Sequence, residues 1–171
     1  MSDIVNEAVV VLNEKLAGSD FDGTAKFDIE GDETRRCSRL MQLDPAPLYT
    51  DIAPGPEGGQ AHWAETSDGK RIRLGHWPCA GARGTVLLFP GRTEYIEKYG
   101  LCAADFARRG LATMAIDWRG QGLADRMLPD ARIGHVDVFS DYQKDVAAML
   151  RAARSLNLPR PYFLLAHSMG G

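Results

Sequence analysis

The apolar positions of this chain change their period along its length. His62–Thr66 and Arg71–Trp77 are short runs in which apolar and polar residues alternate, as in strands with one buried face. Between them lies Ser67-Asp68-Gly69-Lys70. Gly69 accepts a positive φ cheaply, so Asp68-Gly69 predicts a hairpin turn. Thr85–Phe89 is a continuous apolar run, the pattern of a strand buried on both faces, and Pro90-Gly91 ends it. Over Tyr95–Arg109, Ile96, Tyr99, Ala103 and Phe106 recur at gaps of 3, 4 and 3, which predicts a helix stopped by Gly110. Leu111–Ile116 is the next buried strand, followed by a loop rich in Gly, Asp and Arg. Val138–Leu156 predicts a second helix, with Phe139, Tyr142, Val146, Met149, Ala153 and Leu156 on one face. Pro161–Ala166 is a further apolar strand. From Thr85 the order is strand, helix, strand, helix, strand. That alternation predicts an α/β architecture, a mostly parallel sheet flanked by helices. Right-handed crossovers place the five strands in the spatial order 1-2-4-3-5, with the hairpin at one edge.

The region upstream reads differently. Residues 1–40 hold 9 Asp/Glu and 5 Lys/Arg, whereas residues 41–171 hold 14 and 15. Ile4, Ala8, Val11 and Leu12 fall along one face of a short helix over Ile4–Leu16. A polar Gly/Asp-rich segment follows, to Arg39. Residues 1–40 are therefore expected to form a weakly structured extension. A start at Met41, with the upstream stretch an artefact of gene calling, is the alternative. Residues 41–60 contain Pro45, Pro47, Pro54 and Pro56 with Gly55, Gly58 and Gly59, and read as a linker. Residues 61–171 are left as the ordered domain.

Composition narrows the function classes. At 44% hydrophobic and 25% charged residues the chain is ordinary for a globular protein. A net charge of −3 offers no basic face for nucleic acid. The longest apolar runs, such as Ala8–Leu12 and Tyr162–Ala166, are five residues, far short of a membrane span. No basic segment precedes Ala8–Leu12, which argues against a secretory signal. Cys37, Cys79 and Cys102 make neither a disulfide framework nor a paired zinc motif, so a reducing cytoplasm is expected. Neither a cofactor nor a metal is expected. Gly120-Gln121-Gly122 follows a strand, but Asp125 stands where a dinucleotide fingerprint needs its third Gly, and no phosphate-cradling Gly-Lys-Ser/Thr loop occurs.

The chemistry concentrates at the end of the last strand, which runs directly into Ala166-His167-Ser168-Met169-Gly170-Gly171. This is the small-x-Ser-x-Gly pattern of a nucleophile elbow, in which a sharp strand-to-helix turn lifts the serine hydroxyl above the sheet. Ala166 stands where Gly is usual. Ser168 is the candidate nucleophile; a coincidental serine in a turn of small residues is the alternative.

Three segments now carry a resemblance. They are Phe89-Pro90-Gly91-Arg92-Thr93-Glu94-Tyr95-Ile96-Glu97-Lys98-Tyr99, then Asp117-Trp118-Arg119-Gly120-Gln121-Gly122, then Ala166–Gly171. In order and spacing, from about Met41 to the end, the chain resembles the α/β-hydrolases. Within them it is similar to the bacterial lysophospholipases and monoacylglycerol-lipase-like serine hydrolases with a serine aminopeptidase-type domain. Lipase relatives often carry His-Gly where this chain has Pro90-Gly91.

The resemblance implies cleavage of carboxylic esters, lysophospholipid or monoacylglycerol, through an acyl-enzyme. It implies a small-molecule or lipid ester as partner, with peripheral contact at the inner face of the membrane allowed. It assigns the oxyanion hole to the backbone N–H groups of Met169 and Arg92, with Gly91 and Gly170 shaping the loop and elbow. Asp117, Arg119 and Gly122 become loop-fixing residues near the site. A proline-iminopeptidase-like aminopeptidase, or a non-catalytic remnant, are the competing readings. In this family the acid and the His follow the serine. His62, His76, His135 and His167 all lie before or beside Ser168, and none matches that base. His167 is expected to point beneath the elbow, and His135 to face solvent or pack. The chain is therefore expected to be the N-terminal part of a longer hydrolase. Alone it should be inactive, with its last strand an unpaired apolar edge.

Overall fold

The computed structural model describes Val9–Leu12 and residues 43–171. Its core is a mixed seven-stranded sheet. The strands are β1 (Val9–Leu12), β2 (Asp44–Ala46), β3 (Gln60–Glu65), β4 (Arg71–Trp77), β5 (Thr85–Phe89), β6 (Ala112–Asp117) and β7 (Tyr162–Ala166). Two helices, α1 (Gly100–Arg108) and α2 (Tyr142–Ser155), connect β5 to β6 and β6 to β7. The spatial order is β1-β7-β5-β6-β4-β3-β2. Its inner five strands reproduce the expected 1-2-4-3-5 arrangement.

Direction follows connection. β5 pairs in parallel with β6 and with β7, the strands reached through α1 and α2. The other four pairings are antiparallel, so the sheet is mixed rather than mostly parallel among the described residues. A tight turn joins β3 to β4 and permits only that direction. Thr66 N–H bonds the Lys70 carbonyl at 2.8 Å across this turn, and Gly69 sits at φ +73°.

β5 is buried on both faces, and its alternate residues serve two layers. Val86 and Leu88 join Ala115, Leu165, Ile96 and Ala103 beneath α1. Leu87 and Phe89 join Met114, Ile116, Ala148, Met149 and Ala152 beneath α2. The first predicted helix begins as a 3₁₀ turn, Ile96–Tyr99, before α1. Gly100, the first residue of α1, packs against the segment before β3: a Cβ there would lie 2.3 Å from the Pro54 carbonyl oxygen. Gly110, at φ +73°, closes α1 as predicted. α2 buries Tyr142, Met149 and Ala153 but not Phe139, which is 62% exposed in a 3₁₀ turn ahead of the helix.

Two expectations upstream and at the sheet edge change. Val9–Leu12 forms a strand, not part of a helix; the rest of Ile4–Leu16, and most of 1–40, lie outside the described residues. Three consecutive valines lose χ1 freedom in a helix and suit a strand. β7 supplies the partner, with Val9 opposite Leu165 and Leu12 opposite Tyr162. The outer side of β7 is therefore not an unpaired edge. Asp44–Ala46, within the Pro/Gly-rich stretch, pairs with Ala61–Trp63 of β3. Among the described residues no helix is long and apolar enough to cross a membrane.

His62 and His76 stack on the sheet at 5.3 Å between ring centres. Neither ring nitrogen of His62, nor Nδ1 of His76, has a hydrogen-bond partner. Burial lowers the His76 pKa to about 4, and the neighbouring His62 adds to the effect. The folded state thus prefers neutral His76, while the unfolded chain binds a proton near pH 6.5. Stability from this site is complete above about pH 6.5 and is lost as pH falls toward 4. We expect about 1–2 kcal/mol to disappear between pH 7.5 and pH 5, read from urea midpoints. His76→Phe should flatten that dependence; an unchanged slope would show that His76 is not its source.

Candidate active site

β7 carries its parallel register one residue beyond the strand, where His167 N–H bonds the Phe89 carbonyl at 3.0 Å. The chain then turns sharply into a single 3₁₀ turn, Ser168–Gly170. Ser168 takes φ +53°, a left-handed conformation that costs a non-glycine residue about 1 kcal/mol or more. Gly170 crosses the end of β5 so closely that a Cβ would lie 2.4 Å from the Phe89 carbonyl oxygen. No side chain fits there. Gly91 faces the turn from the loop after β5. A Cβ on it would stand 2.9 Å from His167 Nδ1 and 3.2 Å from the Ser168 Cβ.

These close approaches bring Arg92, Ser168 and Met169 together on the wall of one cleft of about 420 Å³. Gln121, Val136, Phe139 and Tyr142 also line it. Among the described residues, the N–H groups of Arg92 and Met169 and the Ser168 hydroxyl make no hydrogen bond to another residue. No His reaches the serine hydroxyl. His135 lines the cleft, with its ring bonded to Asp137 at 3.1 Å. His167 does not tuck beneath the elbow: its side chain is 44% exposed and its Nδ1 lies 3.0 Å from Glu94 Oε2. His62 and His76 sit in the hairpin strands β3 and β4, and neither lines the cleft.

Glu94 was not singled out from the sequence, yet it ties the loop to the elbow. Its Oε2 accepts the Gly91 N–H at 2.7 Å, the Tyr99 hydroxyl and the His167 ring; Oε1 accepts Lys98 Nζ at 2.7 Å. Burial alone would raise its pKa. The bonds from Lys98, Tyr99, Gly91 and His167 outweigh that and hold it at about 2. Glu94 is thus an anion throughout the physiological range. Gln121 plays a similar part from the loop after β6. Its carbonyl oxygen accepts the Thr93 N–H, with Thr93 at φ +64°, and its amide nitrogen lies 3.7 Å from Met169 Sδ. Both residues fall inside the quoted motifs, which was the available signal.

Asp117, Arg119 and Gly122 lie behind the cleft and fix its loops. Asp117 is fully buried. It accepts Arg73 Nε at 2.7 Å and the N–H groups of Ile96 and Leu123 at 2.9 Å each. Burial pushes its pKa up against the pull of Arg73. Gly122, at φ +49°, lies over this carboxylate, and a Cβ would be 2.1 Å from it. Arg119 spans Asp145 on α2 at 2.9 Å and Asp68 in the hairpin turn at 2.9 and 3.1 Å. One guanidinium therefore pins the β3–β4 turn to the helix that backs the cleft. Among the described residues no group of three or more His, Cys, Asp and Glu is placed to hold a metal ion.

Comparison with known proteins bears on the family and the fold. Residues 80–171 match the family model described as Serine aminopeptidase, S33. Lysophospholipase L2 of Escherichia coli (strain K12) is 42% identical over 86 residues, 50% of this chain and 25% of that protein. The probable lysophospholipase L2 of Haemophilus influenzae is 36% identical over 93 residues, 54% of this chain and 29% of its own. The chain spans less than a third of the length of these curated relatives. A solved structure of a highly thermostable carboxyl esterase from Bacillus coagulans shares the fold, with a TM-score of 0.55 at 19% identity. That likeness covers 67% of this chain and 38% of the esterase. With more than half of its residues matched by the family model, and with the expected inner strand order and α/β layers, this chain belongs to the Serine aminopeptidase, S33 family of α/β-hydrolases.

Proposed function

We propose that the protein carrying this chain is a serine hydrolase that cleaves carboxylic esters of monoacyl lipids, lysophospholipid or monoacylglycerol. The observation that supports this most is the strained Ser168, at φ +53°, sharing one cleft with the backbone of Met169 and Arg92. The Ser168 oxygen attacks the ester carbonyl carbon while its proton passes to a base. The carbonyl oxygen becomes an oxyanion between the Met169 and Arg92 N–H groups. Collapse breaks the bond to the alcohol, which leaves with the proton, and water then hydrolyses the acyl-serine. Among the described residues no His is placed to serve as that base: His135 and His167 bond Asp137 and Glu94, and His62 and His76 do not line the cleft. Apolar lining from Val136, Phe139 and Met169 suits an acyl chain, and peripheral contact with a cytoplasmic membrane face suits a lipid substrate.

An aminopeptidase of the proline-iminopeptidase type is the second reading, and the family description favours it. Such an enzyme needs an anion near the scissile bond to hold the substrate ammonium. The residues lining this cleft include Arg92 and no carboxylate, which favours the ester. Assay of the intact gene product with a short-chain monoacyl ester and with a prolyl anilide separates the two. Ester turnover with an inert anilide is expected; the converse would sink the ester assignment.

Two further outcomes follow from the same reading. Residues 1–171 expressed alone should show no ester turnover above an inactive control, because no base reaches Ser168. Ser168-dependent turnover by that chain would refute this. In the intact protein, Glu94→Gln should lower kcat by roughly tenfold or more with little change in KM, since it loosens the loop that presents the Arg92 N–H. A KM effect alone would assign Glu94 to substrate binding instead.

A further inference from the structure

We propose that the Arg92 side chain forms a subsite for the phosphodiester of a lysophospholipid, so that the cleft prefers it to a neutral monoacylglycerol. The inference rests on the ester-hydrolase reading and adds to it which of the two lipid classes is favoured.

Arg73 and Arg119 are buried and saturated by carboxylates. Arg71, Arg108 and Arg132 each face an Asp on the surface. Arg92 differs. Among the described residues its guanidinium makes one hydrogen bond, Nη2 to the Gly134 carbonyl at 3.2 Å, and no ion pair. A carbonyl anchors the side chain without neutralising it. Of the five N–H donors of a guanidinium, four remain. Asp137 and Asp141, each one residue in the chain from a lining residue, bond His135 and Lys144 respectively, and neither belongs to the cleft wall.

Position adds to charge. Arg92 follows Gly91, where a Cβ would stand 3.2 Å from the Ser168 Cβ, and it lines the same cleft as that serine, with its guanidinium bonded to Gly134 of the cleft wall. The same wall carries Val136, Phe139 and Met169. A ligand that fits must therefore place an ester at Ser168, an alkyl chain along apolar side chains, and an anion within reach of an uncompensated guanidinium. In a lysophospholipid the phosphate stands one glycerol unit from the ester. The planar fork of Arg meets two phosphate oxygens at once, which gives it both strength and direction. A monoacylglycerol offers only hydroxyls there.

The test uses the intact protein and soluble short-chain lipids below their micelle concentration. The readout is the ratio of kcat/KM for 1-acyl lysophosphatidylglycerol to that for the matching 1-monoacylglycerol. Arg92→Gln should reduce this ratio roughly tenfold or more, the range for a charged hydrogen bond, and Arg92→Lys should restore part of it. A ratio indifferent to Arg92→Gln overturns the subsite while leaving the hydrolase reading intact. A binding arm separates the two ideas further. Ether-linked analogues cannot be cleaved, and the Ser168→Ala protein should still bind the ether lysophospholipid more tightly than the ether monoglyceride. Adding Arg92→Gln should abolish that preference. If that preference is found while neither ester is hydrolysed, the subsite stands and the ester reading fails. Inorganic phosphate alone should compete weakly, because the subsite works with the tethered acyl chain. Saturation by phosphate with no preference between the two lipids would overturn the head-group assignment.

Discussion

Replacing Ser168 with Ala in the intact protein should abolish covalent labelling by a fluorophosphonate and reduce kcat for ester hydrolysis by about 10⁴-fold or more. The magnitude follows from what is removed. The alanine methyl cannot form the acyl bond, so catalysis falls back on the donors that stabilise the oxyanion. Those donors are backbone N–H groups and survive the substitution. The elbow should survive as well, because Gly170 and Gly91 still permit the close approach at Phe89 and His167. Ala is no better suited than Ser to φ +53°, so no stabilisation is expected from relief of strain. Mass spectrometry of the labelled wild-type peptide should place the adduct on Ser168. Labelling that persists in the variant would mean that another residue is the nucleophile.

Replacing Arg73 with Met should destabilise the protein by about 3–5 kcal/mol, read as a shift in urea midpoint with an unchanged slope. Arg73 is 1% exposed. It bridges Glu97, at 2.7 and 2.9 Å, and Asp117, at 2.7 Å, and also bonds the Pro47 carbonyl at 2.9 Å. Removing it leaves two carboxylates in the interior with no cation between them, and burial already pushes Asp117 upward. The penalty is that of unpaired charge, not of lost packing, since Met keeps much of the side-chain volume. Adding Asp117→Asn to Arg73→Met should therefore recover part of the loss. A single-variant effect below about 1 kcal/mol would show that water compensates the carboxylates and that the pair is worth little.

The chain's local patterns carried much of this architecture. Thr85–Phe89 and Arg71–Trp77 are strands with the bounds their continuous and alternating patterns predict, although Ile72–Trp77 is buried on both faces where alternation predicts one. The turn at Ser168 was likewise legible, since small residues at fixed offsets answer a steric demand that only Gly meets at position 170. The helix start at Tyr142 was less so. Phe139 continues the helical spacing, yet it lies ahead of the helix on the cleft wall, and spacing does not say where the covered sheet ends.

What the sequence alone determined is therefore the set of local commitments: apolar runs, their periods, the turn chemistry, and the order of elements that dictates right-handed crossovers. Only the tertiary structure decided the rest. Ile4, Ala8, Val11 and Leu12 read as one face of a helix until the edge of β7 supplies Val9–Leu12 with backbone partners 150 to 156 residues away. Glu94 and Arg73 are charged side chains of a kind that usually lies in solvent, and nothing local distinguishes them from their neighbours. They become a clamp and a buried ion pair because separate loops arrive with donors and acceptors they can satisfy. Arg92 has no ion pair among the described residues for the converse reason: there, each carboxylate that reaches an arginine reaches a different one. Local propensity acts over a few residues. Partnership between charges is settled by which distant segments the fold brings together.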